Sequence, residues 1–133
     1  MIGVDTNVLL RLSDEESPDQ REQARRFVVA NAGQMFINEV VLAEFVWTLA
    51  RAFKKPRQEI ALRLAILLES DEFVVARVGE AERAMERYLN GRADFADYFL
   101  AEINRSQGCS ATASFDADAL KSGDPFVPVT AAA

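Results

Sequence analysis

Ile2-Gly3-Val4-Asp5, followed by Thr6-Asn7, is the stretch around which the chain is organised. An apolar run that ends on a carboxylate predicts a buried strand that brings Asp5 to the rim of a sheet. Thr6 or Asn7 can then cap the next helix. Open α/β sheets bind ligands at that rim, beyond the carboxyl ends of their strands. The alternative is that Asp5 only caps the helix, because Asp also favours that position.

The composition fits one ordinary globular domain that covers residues 1–133. Hydrophobic residues make up 50% of the chain and charged residues 27%, enough for a core without disulfides or structural metal. The net charge of -6 argues against a general polyanion-coating protein, because phosphate binders usually carry excess Lys and Arg. A nuclease whose metal ions neutralise its site is not excluded.

Cys109 is the only cysteine, and the chain has no histidine. An intrachain disulfide or multi-cysteine zinc site is therefore impossible, and we expect a reducing, cytoplasmic compartment. The missing histidines remove Ser-His and Cys-His pairs and leave carboxylates as acids, bases or metal ligands. The N-terminus lacks the signal-peptide pattern, and no segment approaches the roughly 18 apolar residues of a membrane span, so we expect a soluble protein without membrane contact.

Strand and helix patterns alternate along the chain. They predict a three-layer α/β/α domain around a mostly parallel central sheet of four or five strands. The predicted strands cover residues 2–5, 35–37, 73–75, 109–115 and 126–129. The predicted helices cover residues 8–12, 18–30, 39–53, 57–69, 80–89 and 94–103, with an acidic loop at 13–18 and a short turn around Leu120. Ser17 and Asn38 are the predicted caps of the second and third helices.

Glu44 is the only ionisable residue of the apolar run Val40 to Ala50. A helix that is hydrophobic nearly all round is expected to be largely buried. A buried carboxylate needs a partner, since leaving it unpaired costs several kcal/mol. The partner is either a structural arginine such as Arg51 or a metal ion.

Further carboxylates follow later in the chain. Asp94 and Asp97 are three residues apart, so they share a face in the first turn of a helix, where the dipole favours negative charge. One of them could serve only as a cap. Asp116 ends an apolar strand and so repeats the geometry of Asp5, while Asp118 is explained by capping the next turn.

The one compact basic patch comprises Arg51, Lys54, Lys55 and Arg57. It either complements a helix C-terminus or contacts phosphate, and the residues alone leave both interpretations open.

Four motifs together resemble the PIN-domain ribonucleases, and specifically the VapC-type toxins of toxin-antitoxin pairs. The motifs are IGVDTN at the N-terminus, the lone Glu in VVLAEFVWTL, ADFADYFLAEI, and a late SFD. The resemblance covers essentially the whole chain. It implies an endoribonuclease, a cognate VapB-type antitoxin and a homodimer.

Carried over by position, the resemblance implies an acidic site of Asp5, Glu44, Asp97 and Asp116. Asp94 is an additional acid, and which of Asp94 and Asp97 is the direct metal ligand stays open. The resemblance further implies that Thr6, Asn7 and Ser114 orient the carboxylates by hydrogen bonding. Relatives usually have Thr where this chain has Ser114.

Oxygen-only ligands suit hard cations, so Mg²⁺ or Mn²⁺ is expected rather than zinc. Such ions would allow four neighbouring carboxylates to stay ionised and would activate water against an RNA phosphodiester. Two alternatives use the same fold. A Mg²⁺-dependent phosphohydrolase of small substrates would use the same acids, although the chain has neither a Gly-rich phosphate loop nor a Walker lysine. A non-catalytic binding module would have no reason to keep Glu44.

Overall fold

The computed structural model describes residues 1–12 and 17–130. Its helices are α1 (Thr6–Arg11), α2 (Pro18–Ala30), α3 (Glu39–Arg51), α4 (Arg57–Glu69), α5 (Val78–Asn90), α6 (Phe95–Ser106) and α7 (Ala117–Lys121). Its strands are β1 (Ile2–Gly3), β2 (Met35–Ile37), β3 (Phe73–Val75), β4 (Thr112–Ser114) and β5 (Phe126–Pro128). The α/β class predicted from the alternating patterns is confirmed. Most of the predicted acidic loop, residues 13–16, lies outside the described residues.

All the strand pairs are parallel, as predicted, but they form two hydrogen-bonded sheets. One sheet has the order β1-β2-β3 and the other pairs β4 with β5, within the described part of the chain. The expected single sheet of four or five strands is therefore divided. Only two residues of β1 pair before Asp5 turns the chain into α1, which leaves little edge for a further strand.

The first and fourth strands are also less buried than predicted. Ile2 is 44% exposed, and only Val4 of the opening run enters the core. The strand predicted for residues 109–115 shortens to β4, because Gly108 has a φ of +95° and the chain turns back there, with the Cys109 N–H donating to the Asn104 carbonyl at 3.0 Å. Phe115 is 85% exposed.

The core lies between β2 and the inner faces of the long helices. Burying one such Leu, Ile or Phe side chain contributes roughly 1.5–3 kcal/mol. The largest fully buried side chains are Met35, Ile37, Leu42, Leu49, Ile60, Leu64, Phe95 and Tyr98. The prediction that α3 is largely buried is wrong, because Val40 and Trp47 are 73% and 58% exposed. The residue pattern alone cannot distinguish a helix that is buried on both sides from a helix with an apolar side exposed to solvent.

The predicted caps differ in their hydrogen bonding. The Asn38 side chain accepts from the Val41 N–H at 2.9 Å, as a capping residue should. Ser17 precedes α2 without a side-chain cap bond, and Pro18 follows as its first helical residue.

Arg57 holds together the junction between α5 and α6. Its guanidinium donates to the carbonyl oxygens of Tyr88 at 2.7 Å and Ala93 at 2.6 Å, and it lies 3.8 Å from the centre of the Tyr88 ring. For Arg57, the interpretation that the basic patch complements a helix C-terminus therefore applies, and the helix is α5. This contact fixes the turn from which α6 starts.

Among the described residues, no helix is both long and apolar enough to cross a membrane.

Candidate active site

Asp5 and Asp116 occupy equivalent places, each at a junction between a strand and a helix. Asp5 precedes α1 and accepts from the Thr6 N–H at 2.6 Å. Asp116 precedes α7 and accepts from the Ala119 N–H at 2.9 Å. Each cap bond is made by Oδ1, so it occupies one of the two carboxylate oxygens. Capping and a role in a site are therefore compatible, and Asp116, not Asp118, caps α7.

Asp94 and Asp97 lie at the beginning of α6. Asp94 is the N-cap residue but makes no side-chain cap bond, and its Oδ2 lies 3.5 Å from the Arg51 Nη2. Both partners of this ion pair are more than half exposed, so the pair is worth at most about 1 kcal/mol. Arg51 thus pairs with Asp94, and Glu44 forms no ion pair with a described residue.

Asp97 interacts electrostatically with Asp116 and Asp94. Burial raises the pKa of Asp97, and the negative charges of Asp116 and then Asp94 raise it further. A backbone hydrogen bond at Asp94 works in the opposite direction without cancelling the rise. Asp97 at the start of α6 and Asp116 before α7 are therefore close enough for their charges to interact.

Tyr98 links the start of α6 to the end of α7. Its hydroxyl lies 2.8 Å from the Ser122 Oγ at the end of α7, and the Ala93 N–H donates to the same hydroxyl at 3.3 Å. The Tyr98 ring also contacts Phe126 of β5, with 6.0 Å between ring centres. Asp97 is the residue directly before this anchor, so its backbone position is fixed by the core.

The hydrogen-bonding residues predicted around the acids have different environments. The Ser114 Oγ accepts from the Asp116 N–H at 2.9 Å and so holds the backbone of that acid. Thr6 is 3% exposed, yet its hydroxyl has no hydrogen-bond partner among the described residues. Asn7 is exposed at the second position of α1. The buried hydroxyl of Thr6, the residue after Asp5, is therefore a polar group without a hydrogen-bond partner among the described residues.

Glu44 lies on the exposed side of α3, which corrects the expectation of a buried carboxylate. It is exposed because the apolar residues Leu42, Phe45, Val46 and Leu49 point to the core from the other side of the helix. Arg51 is seven residues further along the same side and reaches Asp94 on α6. Glu44 therefore lies on the side of α3 that turns toward the α6 acids.

The donor set suits a hard divalent cation, since it contains only carboxylate and hydroxyl oxygens. Within residues 1–12 and 17–130, however, no three acidic or cysteine side chains are grouped closely enough to hold one ion. Burial is the main cause of the raised pKa of Asp97, and repulsion by the like charges of Asp116 and Asp94 adds to it. The residues fit such an ion in chemistry, and binding would require the carboxylates to move closer together.

Sequence reasoning missed Glu102, the most deeply buried acid with a defined structural role. Its side chain is 3% exposed and lies 3.1 Å from the Arg83 Nε and 4.0 Å from the Arg87 Nη1. Removing one of these arginines would leave the buried Glu102 carboxylate with less compensation for its lost hydration. The spacing offered a hint, because Glu102 continues the apolar face of Phe95 and Phe99 along α6. Glu102 joins α6 to α5 through these ion pairs, and we assign it a structural role and not a place in the acidic site.

Two comparisons with known proteins bear on this chain. The family model described as PIN domain matches residues 2–124, which is nearly the whole chain. No curated protein matches it significantly. The matched span includes all eight residues assigned above to the acidic site and its surroundings.

Proposed function

The chain belongs to the PIN-domain family, and from that premise we propose that it is a metal-dependent endoribonuclease, the toxin of a VapC-type toxin-antitoxin pair. PIN domains are generally nucleases, which gives hydrolysis of nucleic acid as the broad activity. The observation that carries the proposal is the electrostatic coupling of Asp97 to Asp116, whose negative charge adds to burial in raising the pKa of Asp97. The exposed Asp5, Glu44 and Asp94 are proposed to join these two acids when a metal ion binds.

The proposed roles follow from how each acid is held. Asp5 and Asp116 are fixed by their cap bonds through Oδ1, so their Oδ2 atoms serve as ligands. Asp97 is fixed by α6, and Glu44 approaches from α3 as an exposed side chain. A bound Mg²⁺ or Mn²⁺ would lower the pKa of a water molecule and neutralise the leaving oxygen of the phosphodiester. No side chain has to act as a nucleophile.

Metal removal tests the proposal directly. Protein stripped with EDTA should not cut RNA, and added Mg²⁺ or Mn²⁺ should restore cleavage, whereas Ca²⁺ should support it poorly because it tolerates looser geometry. The assay should contain several structured RNAs beside single- and double-stranded DNA. Release of inorganic phosphate from small esters, with every RNA left intact, would favour a phosphohydrolase instead.

A matched pair of variants keeps this assay specific. Asp5→Asn removes a proposed ligand and should abolish cleavage, while Asp118→Asn changes an exposed acid of α7 and should leave it intact. Cleavage that persists in EDTA or in Asp5→Asn would require a metal-free chemistry or a contaminant and would overturn the proposal.

The toxin assignment makes a separate claim about partners. We propose that a VapB-type antitoxin covers the acidic residues and offers Arg or Lys to them, as Arg51 already does to Asp94 within the chain. The toxin is proposed to be a cytoplasmic homodimer. Expression of the chain alone should arrest growth, and co-expression with an adjacent small open reading frame should relieve the arrest. Sedimentation velocity of the purified chain should show the dimer. An inert chain without a co-purifying partner would remove the toxin role but leave the nuclease.

A further inference from the structure

One side of α3 is exposed along the length of the helix. Val40, Glu44, Trp47 and Arg51 follow one another at steps of four, three and four residues, so they share this side. All are exposed, Val40 by 73% and Trp47 by 58%. Along the helix axis, Trp47 lies about 4.5 Å and Arg51 about 10.5 Å beyond Glu44. A proposed catalytic acid therefore has an aromatic ring and then a cation as its next neighbours.

Trp47 is more exposed than is usual for its residue type. Trp side chains are highly buried on average, and this one leaves more than half of its surface open. No hydrogen bond or ring contact joins it to a described residue. An exposed aromatic ring beside a phosphodiester site provides a platform on which an unpaired base can stack.

Cations gather at the same end of α3. The segment after the helix folds back onto its last turn, with the Lys55 N–H donating to the Leu49 carbonyl at 2.9 Å and the Phe53 N–H to Thr48 at 3.1 Å. This keeps Lys54 and Lys55 close to the helix end that carries Arg51. In a chain of net charge -6, the patch is a local exception that complements phosphate.

Arg51 is available to such a phosphate at little cost. Its pair with Asp94 spans 3.5 Å, and the two side chains are 62% and 58% exposed. Ion pairs of this kind stabilise proteins only slightly, so redirecting the guanidinium to a phosphate sacrifices little. Arg57, by contrast, is held by the carbonyl oxygens of Tyr88 and Ala93 and takes no part.

We propose that the Trp47 indole stacks against an unpaired RNA base next to the scissile phosphate, and that Arg51 and Lys54 bind the phosphate beyond it. This inference rests on the proposed ribonuclease function and names its substrate as single-stranded or looped RNA. A continuous duplex keeps its bases stacked on each other and offers no free face to the indole. Trp47 is thus a positioning residue that selects unpaired sites.

The chain provides its own optical probe, because Trp47 is its single tryptophan. The full chain with Asp5→Asn, which should bind RNA without cutting it, is titrated with a short oligoadenylate and with an RNA duplex of the same length. Oligoadenylate is expected to quench the tryptophan fluorescence in a saturable manner, and the duplex is expected to leave it unchanged. Absent quenching, or equal quenching by both RNAs, would overturn the inference.

Variants then separate stacking from charge, with labelled oligoadenylate followed by anisotropy. Loss of one stacked base corresponds to a roughly 5- to 150-fold rise in the dissociation constant, which is the change expected for Trp47→Ala. Trp47→Phe should retain most of the affinity, and Val29→Ala, an exposed apolar control on α2, all of it. Lys54→Gln should reduce the slope of log K against log salt by about 0.7, while Arg26→Gln should not alter it.

Three outcomes distinguish this inference from the function on which it rests. Wild-type affinity or cleavage in Trp47→Ala overturns the stacking role and leaves the ribonuclease in place. Fluorescence that changes with protein concentration without RNA, together with loss of self-association in Trp47→Ala, means that a second copy covers the indole and also overturns it. A wild-type chain that cuts no nucleic acid overturns the proposed function, whatever it binds.

Discussion

Glu44 is an exposed carboxylate without an ion pair to a described residue, so its replacement by an amide removes charge without opening a cavity. We expect Glu44→Gln to abolish RNA cleavage while the free energy of unfolding stays within about 0.5 kcal/mol of the wild type. Cleavage assays beside urea unfolding check both parts. Glu69→Gln, an exposed control at the end of α4, should alter neither. Normal cleavage combined with a lower unfolding midpoint would make Glu44 a structural residue.

The buried hydroxyl of Thr6 allows a second prediction at the scale of one residue. Leaving such a group without a partner costs about 1–3 kcal/mol, so the nearly isosteric Thr6→Val should not destabilise the metal-free chain. If the hydroxyl serves the acidic site, the same variant should cleave RNA more slowly, and Thr6→Ser should recover the rate. Differential scanning calorimetry in EDTA and a cleavage assay measure the two effects. Clear destabilisation in Thr6→Val would show that the hydroxyl already has a partner.

The turn between α5 and α6 is the element that sets where Asp94 and Asp97 begin. A Cβ added at Gly91 would collide with the Tyr98 hydroxyl and would lie 2.8 Å from the Arg87 carbonyl oxygen, which belongs to the backbone and cannot yield easily. Gly91→Ala is therefore expected to destabilise the chain by about 1–3 kcal/mol. Urea unfolding tests this, with Gly3→Ala as control because no atom lies within 4 Å of its added Cβ. Equal stability of the two variants would contradict the packing described for Tyr98.

At the scale of elements, the sequence predicted most of the fold because the determining information was local. Pro18 and Asn38 marked helix starts that the structure confirms. The side of α3 that faces the core could not be predicted, since apolar residues occupy both of its sides and tertiary packing chose between them. The division of the sheet also depends on long-range contacts. The electrostatic coupling of Asp97 to Asp116 depends on long-range contacts such as the one between Tyr98 and Ser122. The recurrence of a strand that ends on a carboxylate, at Asp5 and at Asp116, was by contrast visible in the sequence.

For the whole molecule, two carboxyl groups act on stability in opposite directions as the pH changes. Burial works to raise the pKa of Glu80, but hydrogen bonds from Arg77, the backbone and Ser106 outweigh it, and the pKa is lowered. Its contribution to stability is present above the ordinary carboxyl pKa and is lost as the pH falls through the lowered one. The pKa of Asp97 is raised by burial and by the negative charges of Asp116 and Asp94. The contribution of Asp97 to stability is therefore present below the ordinary carboxyl pKa and is lost as the pH rises through the raised pKa of Asp97.

Urea unfolding of the metal-free chain over a pH series should separate these two effects. At neutral pH we expect Glu80→Gln to lower the free energy of unfolding and Asp97→Asn to raise it. Well below the carboxyl pKa range, both effects should shrink toward zero. Glu86→Gln is an exposed control on the same helix as Glu80. Shifts of the same sign in the two variants would contradict the electrostatic assignment.

The division of the strands into two sheets has a consequence for hydrogen exchange. Val4 donates to the Phe36 carbonyl within the first sheet, and Thr112 donates to the Pro125 carbonyl within the second. Because no strand ladder joins the sheets in the described part of the chain, the β4–β5 pair can open without breaking the first ladder. The Thr112 amide should therefore exchange with deuterium at a lower free energy than the Val4 amide. During each such opening, Asp116 would move away from Asp97 in a molecule that is otherwise still folded.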